Sequence, residues 1–241
     1  MRIEEAVEAF VRGFAFTRSL AHPYVVERIE DVWVMRDGPG KKGDPRNEEW
    51  VALGLAPERV DDVAGRHARG RFAVAWVCPL GESDLEERAG FKALGYRLGA
   101  TEPLFVHDLQ AVPVAESPAI VSRVEDPERA ARLGRLLRRK PLRDEFLAED
   151  SAWRQYVAEI DGEIVGWVAS IDAGTARWCA NLQVVREHRR KGIAKALMGR
   201  MLEDDRRLGD RASVLLSSHT GAHLYPTVGY RQLGTLLLYT L

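Results

Sequence analysis

The sequence is poor in cysteine, and its charges almost cancel. Only Cys78 and Cys179 occur among 241 residues, each inside an apolar run, which excludes a disulfide framework and indicates buried thiols in a reducing compartment. A formal net charge of -1 argues against a general nucleic-acid binder, because that class carries a strong basic excess.

Long apolar runs are also missing. The N-terminal stretch MRIEEAVEAF carries acids where a secretion signal needs an apolar core, and the longest apolar run, FAVAWVCPL, is too short to cross a bilayer. We therefore expect a cytoplasmic protein with no membrane partner. From the charge balance we expect no nucleic-acid partner. We favour core packing over metal binding for both cysteines, and we expect no metal site. The sequence does not indicate an oligomeric state.

Hydrophobic periodicity divides the chain into two halves, 1–112 and 119–241, on either side of a proline-bearing linker, AVPVAESP. The first half reads as a helix, a strand YVVERIEDVWVMRDG, an exposed loop DGPGKKGDPRNEE, a strand, a helix, a strand, a helix ending at Gly95 and a last strand. The second half reads as a strand, two helices, three strands, a helix, a strand, a short helix and a closing strand. Its Asp161-Gly162 pair predicts a tight β-hairpin.

The ends of the two halves resemble each other. FKALGYR begins at Phe91 and YPTVGYR begins at Tyr225, and each lies between the last helix and the last strand of its half. We interpret this pair as a degenerate internal repeat.

The most informative motif is REHRRKGIAKAL, from Arg186 to Leu197. A strand, a basic loop and a helix that begins near Gly192 would direct several backbone N–H groups and a positive helix end at one point, which favours an anion. Gly192, having no Cβ, lets the backbone approach a diphosphate, and Ala194 keeps the next turn small. The spacing fits neither a Walker A loop nor a dinucleotide fingerprint. A solvated basic turn before an amphipathic helix is the alternative interpretation.

The stretch LQVVREHRRKGIAKALM resembles the pyrophosphate loop of the GNAT acetyltransferase superfamily, Arg/Gln-x-x-Gly-x-Gly/Ala, and GAHLYPTVGY resembles that family's next motif. The resemblance covers about 119–241 and implies an α/β fold of two GNAT-like domains, each a mixed, mostly antiparallel sheet flanked by helices. The first half has no such loop between Val60 and Gly81, where we expect it to fall. It is therefore similar to a GNAT domain without its CoA loop.

The resemblance implies an N-acetyltransferase that moves an acetyl group from acetyl-CoA to a primary amine by direct attack in a ternary complex. Backbone groups of Leu182 and Val184 would pair with the pantetheine arm, and an amide near Val184 would polarise the thioester carbonyl. Tyr225 would protonate the departing thiolate. The implied cofactor-binding residues are Leu182, Val184, Val185, Arg189, Arg190, Lys191, Gly192, Ile193 and Ala194.

The proton acceptor is less defined, because no acid lies between Thr175 and Arg186. His219 is our candidate, His223 is a second, and a water chain is a third possibility. The segment FTRSLAHPY, with Arg18 and His22, is where we expect the first half to contribute to the acceptor site. The alternative function is a non-catalytic acyl-CoA-binding or sensing protein.

Overall fold

The structure is a computed structural model that describes residues 1–38, 48–209 and 211–241. The glycine-rich loop expected after β2 therefore lies mostly outside the described residues. The elements of the first half are α1 (Ile3–Ser19), β1 (Tyr24–Ile29), β2 (Val32–Asp37), β3 (Glu48–Leu53), α2 (Pro57–His67), β4 (Phe72–Pro79), α3 (Leu85–Ala93) and β5 (Arg97–His107). Those of the second half are β6 (Ile120–Arg123), α4 (Pro127–Leu136), β7 (Trp153–Ile160), β8 (Glu163–Ala173), β9 (Ala176–Val184), α5 (Ile193–Arg207), β10 (Ser213–Leu216), α6 (His219–Ala222) and β11 (Arg231–Thr240).

All described strands belong to one eleven-stranded sheet, in the order β1-β2-β3-β4-β11-β5-β10-β9-β8-β7-β6. Among them only β3 with β4 and β9 with β10 run parallel, so the mixed, mostly antiparallel sheet flanked by helices is confirmed. The last strands of the two halves are exchanged. β11 pairs with β4 of the first half, and β5 pairs with β10 of the second.

Helices cover both faces of the sheet. Helix α1 packs its buried side, which includes Phe10, against residues of both halves, such as Met35 of β2 and Trp178 of β9. At Gly13 a Cβ would lie 2.2 Å from that of Trp178, so only glycine allows the helix this close to the sheet. Helix α5 packs on the opposite face through Ile193, Leu197, Met198, Met201 and Leu202.

Local signals in the sequence have mixed outcomes. The hairpin at Asp161-Gly162 is confirmed, since both residues have positive φ between β7 and β8. The expected single strand YVVERIEDVWVMRDG is instead a hairpin, because Glu30 and Asp31 adopt left-handed φ and reverse the chain. The second helix predicted over LRDEFLAED is wrong: the chain forms only a short 3-10 turn there, Asp144–Phe146.

The linker AVPVAESP forms no helix or strand, but it packs along α5. A Cβ on Gly199 would lie 3.1 Å from the carbonyl oxygen of Pro113, and one on Gly192 would lie 2.5 Å from that of Glu116. The segment therefore lies as a strap over the N-terminal half of α5. No described helix is long and apolar enough to span a membrane.

Candidate functional site

The central feature of the second half is a gap between two neighbouring strands. β9 and β10 pair only at Ser213 with Arg177 and Val214 with Trp178, and β9 then continues to Val184 without a partner on that side. A bulge helps to separate the strands, because Asn181 has a φ of 58° and shifts the register of β9 against β8. The result is a V-shaped opening at the carboxyl ends of two parallel strands.

A cleft of about 1130 Å³ fills this opening. Its walls come from β9, the loop before α5, the first turn of α5, the end of β10 and the segment from α6 to the turn at 225–228. Eight of the predicted site residues line it: Leu182, Val184, Arg189, Arg190, Gly192, Ile193, Ala194 and Tyr225. The structure therefore brings most of the cofactor loop and the tyrosine together in one place.

The free edge of β9 carries unpaired backbone groups. Val185 donates its N–H to the carbonyl oxygen of Val165 at 2.8 Å, and Val184 lies opposite Gly166. In an antiparallel pair, the residue next to a hydrogen-bonded one directs its N–H and C=O away from the partner strand. The N–H and C=O of Val184 therefore point away from β8 and into the cleft. Arg189 Nε donates to the Val184 carbonyl at 3.0 Å, which leaves the Val184 N–H for a ligand.

The mouth of the cleft is the N-terminus of α5. Gly192 precedes the helix with a φ of 79° and caps it with no side chain, and the first turn contains no acid. The first intrahelical bond at this end runs from Ala196 N–H to the carbonyl of Gly192, at 3.0 Å. The N–H groups of the first turn therefore point out of the helix end together with the positive end of its dipole, which suits an anion.

The fold itself requires glycine at position 192, in addition to the approach of a diphosphate that the sequence suggested. Its φ is one that side-chain-bearing residues rarely adopt, and the direction of a Cβ is occupied by the carbonyl oxygen of Glu116 in the strap. Arg190 also has a positive φ, of 65°, so the loop before α5 contains two left-handed residues. The loop is thus held in a specific backbone shape.

Tyr225 lies on the α5 side of the cleft and is almost fully buried. Its ring packs against Phe105 at 5.5 Å and Tyr230 at 5.7 Å between centroids. Burial raises its pKa, and a hydrogen bond with Ser217 opposes that rise. The phenol therefore keeps its proton at neutral pH and faces the cleft as a donor.

Cys179 also lines the cleft but is an unreactive thiol. Complete burial raises its pKa far above that of an ordinary cysteine. Its Sγ contacts the sulfur of Met198 at 3.9 Å, which is apolar core packing.

Three predicted site residues are not among those that line the cleft: Val185, Lys191 and His219. The Nε2 atom of His219 lies 2.7 Å from Oγ1 of Thr101 on β5, and the residue is exposed. His223 does line the cleft.

The segment with Arg18 and His22 lies elsewhere. Arg18 pairs with Glu49 at 3.2 Å, while Phe16 packs against Trp153 at 6.2 Å. The end of α1 therefore contacts the second half through aromatic side chains.

Sequence reasoning missed Asn181, Gln183 and Ser217, which also line the cleft. Two polar residues at alternate positions in the otherwise apolar stretch CANLQVV were the available signal, and asparagine tolerates the left-handed φ of a bulge. Ser217 carries no local signal of its own.

The first half contains the same strand–helix–strand unit without an opening. β3 and β4 pair over six residues, from Glu48 with Phe72 to Leu53 with Val77. The loop equivalent to the one before α5 lies between Leu53 and Pro57, not between Val60 and Gly81 as we expected, and it is too short to surround a diphosphate. The described part of the chain also holds no cluster of His, Cys, Asp or Glu suited to a metal ion.

Comparison with known proteins agrees with this geometry. Residues 151–232 match the family model described as an acetyltransferase (GNAT) domain. A search of curated proteins gives no match.

Solved structures resemble the whole chain. A GCN5-related N-acetyltransferase from Kribbella flavida is 16% identical with a TM-score of 0.68, covering 100% of this chain and 96% of its own. A GCN5-related N-acetyltransferase from Sphaerobacter thermophilus is 18% identical with a TM-score of 0.58, covering 87% and 76%. A tandem GNAT protein from the clavulanic acid biosynthesis pathway is 14% identical with a TM-score of 0.56, covering 99% and 95%. The chain thus has the GNAT fold over its full length, and within it residues 151–232 match the model of the GNAT acetyltransferase domain.

Proposed function

We propose that this protein is an N-acetyltransferase that transfers an acetyl group from acetyl-CoA to a primary amine. The observation that carries the proposal is the opening between β9 and β10 after only two paired residues, with the N-terminus of α5 at its mouth. The unpaired edge of β9 suits the amide-bearing pantetheine arm, which pairs with a free strand edge as another strand does. The helix end and the arginines of the loop suit the diphosphate.

The proposed chemistry uses groups already in the cleft. The Val184 N–H is placed to stabilise negative charge on the thioester oxygen as the amine attacks. The carbon–sulfur bond breaks as the carbon–nitrogen bond forms, and Tyr225 gives its proton to the departing sulfur. With its thiol buried and protonated, Cys179 forms no covalent intermediate.

His219 remains the predicted proton acceptor. Its exposed ring beside Thr101 suits the exchange of protons with solvent at the end of β10. Helix α1 of the first half packs on one face of the sheet, and we place the acceptor on that side of the site. The proposal includes no metal, nucleic-acid or membrane partner, and two free buried cysteines support the cytoplasm as its location.

The alternative is an acyl-CoA sensor, which is favoured by the lack of any acid among the residues that line the cleft. Calorimetric titration with acetyl-CoA and a turnover assay with a panel of primary amines separate the two. We expect one acetyl-CoA per chain, because β3 and β4 leave no second opening.

The variant Tyr225→Phe gives the sharper result. In an enzyme it lowers kcat about 100-fold or more at an unchanged acetyl-CoA affinity, because only the proton donor is removed. Tyr230→Phe is the matched control, since Tyr230 is fully buried against Ser213 and does not line the cleft. Binding without turnover of any amine would support the sensor, and no binding by the folded protein would refute both functions.

A further inference from the structure

The exchange of terminal strands places β5 of the first half directly beside β10, although all the residues that line the cleft come from the second half. Leu216 at the end of β10 lies opposite Leu104 of β5, and the N–H of Ser217 donates to the carbonyl of Pro103 at 3.0 Å. Both Leu216 and Ser217 line the cleft. The β5 residues just before Leu104 therefore lie beside the end of the opening.

Glu102 of β5 is on the α1 face of the sheet at this point. It lies opposite Leu236 of β11, and Leu236 belongs to the core under α1, as does Leu104 two residues along β5. Side chains opposite each other in a sheet share a face. Glu102 is thus a diagonal neighbour of Leu216, at about 7–8 Å between backbones, on the side from which an acceptor would enter.

The carboxylate of Glu102 is half-buried and has no cationic side chain of its own. No arginine or lysine in the described ranges pairs with it, although arginines pair with other half-buried acids such as Glu159. Burial raises the pKa of Glu102, and the nearby His219 opposes that rise. A partly desolvated carboxylate that no arginine or lysine of the described residues neutralises favours the arrival of a cation.

We propose that Glu102 binds the ammonium group of the acceptor at the α1 face of the cleft and takes its proton before attack. This inference rests on the proposed function, and it defines the acceptor as a cationic primary amine. The ammonium loses one proton to the carboxylate, and the neutral amine nitrogen bonds to the thioester carbon as the carbon–sulfur bond breaks. CoA leaves with the proton of Tyr225, and the bonded nitrogen gives its second proton to the Tyr225 phenolate, which leaves a neutral amide and restores the phenol. Glu102 then passes this proton to the nearby His219, the proton acceptor predicted from the sequence, which releases it to solvent. The site is complete only with a residue from the first half.

A probe that needs no knowledge of the natural acceptor tests this directly. CoA thioethers that carry a terminal primary ammonium on two to four methylenes place a cation where the attacking nitrogen would lie. The matching S-alkyl-CoA compounds of equal length are neutral. We expect the wild-type protein to bind the best ammonium compound about tenfold or more tightly than its neutral partner, because the carboxylate is partly shielded from water.

The variant Glu102→Gln should lose this preference while its affinity for the neutral compounds and for acetyl-CoA stays unchanged. Glu159→Gln removes another half-buried carboxylate from the same sheet, at β7, and should retain the preference. Equal binding of both compounds by the wild type, or an unchanged preference in Glu102→Gln, would overturn the role of Glu102 and leave the cofactor site intact. Failure of the wild type to bind even the neutral compounds would overturn the proposed function and this inference with it.

A kinetic readout separates proton transfer from a structural effect. With any amine that the wild type acetylates, Glu102→Gln should lower kcat/KM about 100-fold at neutral pH. Activity of the variant should recover as the pH approaches the pKa of the amine, because solution then supplies the neutral form. A loss that stays constant with pH would show that Glu102 serves the fold and not the amine.

Discussion

Gly192→Ala is the change whose effect follows most directly from the structure. The residue has a φ of 79°, and a left-handed backbone costs a side-chain-bearing residue about 1–2 kcal/mol. The new Cβ would also lie 2.5 Å from the carbonyl oxygen of Glu116, well inside the 3.4 Å at which ordinary van der Waals contact begins. That atom belongs to backbone, so the strap must move, and such overpacking costs about 1–3 kcal/mol.

The two effects together predict a loss of about 2–5 kcal/mol in the free energy of unfolding. For a chain of this size the loss corresponds to a fall of roughly 4–20 °C in Tm. Urea unfolding measures the first quantity and calorimetry the second. Acetyl-CoA affinity should fall as well, because movement of the loop turns the N-terminal amides of α5 away from the diphosphate.

Gly199→Ala is the matched control on the same helix. Gly199 has no left-handed φ, and its Cβ would meet the Pro113 carbonyl at 3.1 Å, a contact that a small shift relieves. Alanine also gains about 1 kcal/mol of helix propensity, so the variant should unfold within about 1 kcal/mol of wild type. A Gly192→Ala protein as stable as Gly199→Ala would refute both the strained backbone and the strap contact.

Two further variants or treatments probe the second half. Asp205→Asn should cost about 3–5 kcal/mol in urea unfolding, because it removes the fully buried carboxylate beside Arg154 and Arg177 and leaves the two buried arginines to share the partly exposed Asp172. Asp204→Asn next to it loses only surface pairs and should cost less than about 1 kcal/mol. Equal costs would contradict a buried network. Cys179 should resist alkylation in the folded protein and react only after unfolding, because burial raises the pKa of its thiol. Mass spectrometry measures the labelling. Rapid labelling under native conditions would show that the thiol is not buried.

Much of the cleft where we propose that the cofactor binds could be predicted because its residues are contiguous. Strand, loop and helix from β9 to α5 follow one another in 176–207, so the motif at 186–197 already contains the geometry of the helix end. The turn with Tyr225 is likewise encoded beside Gly229, whose φ of 92° ends it. The GNAT domain matched at 151–232 covers both motifs.

The proposed acceptor side could not be predicted because it depends on pairing between distant segments. Glu102 reaches the end of β10 only through the register of β5 with β10 and β11, and nothing in the local pattern of β5 indicates either neighbour. The opening itself has the same origin, since the polar residues Asn181 and Gln183 mark this strand in the sequence but only the pairing with β8 makes Asn181 part of a bulge. The contact between Glu116 and Gly192 joins residues far apart in the chain for the same reason.

The exchanged strands also explain what the first half, which has no opening of its own, contributes to the fold. β10 pairs with β9 at only two residues, which leaves room for the cleft. Without another neighbouring strand, the backbone groups of this four-residue strand would lack hydrogen-bond partners. β5 restores them along the whole of β10, from Ser213 with His107 to Leu216 with Leu104. β11 in turn needs β4 and β5 as neighbours. The closed pairing of β3 and β4 therefore supports β11 and β5, and β5 in turn supports the strand that forms one side of the opening. The two sequence halves share one sheet, although the residues that line the cleft come from the second half.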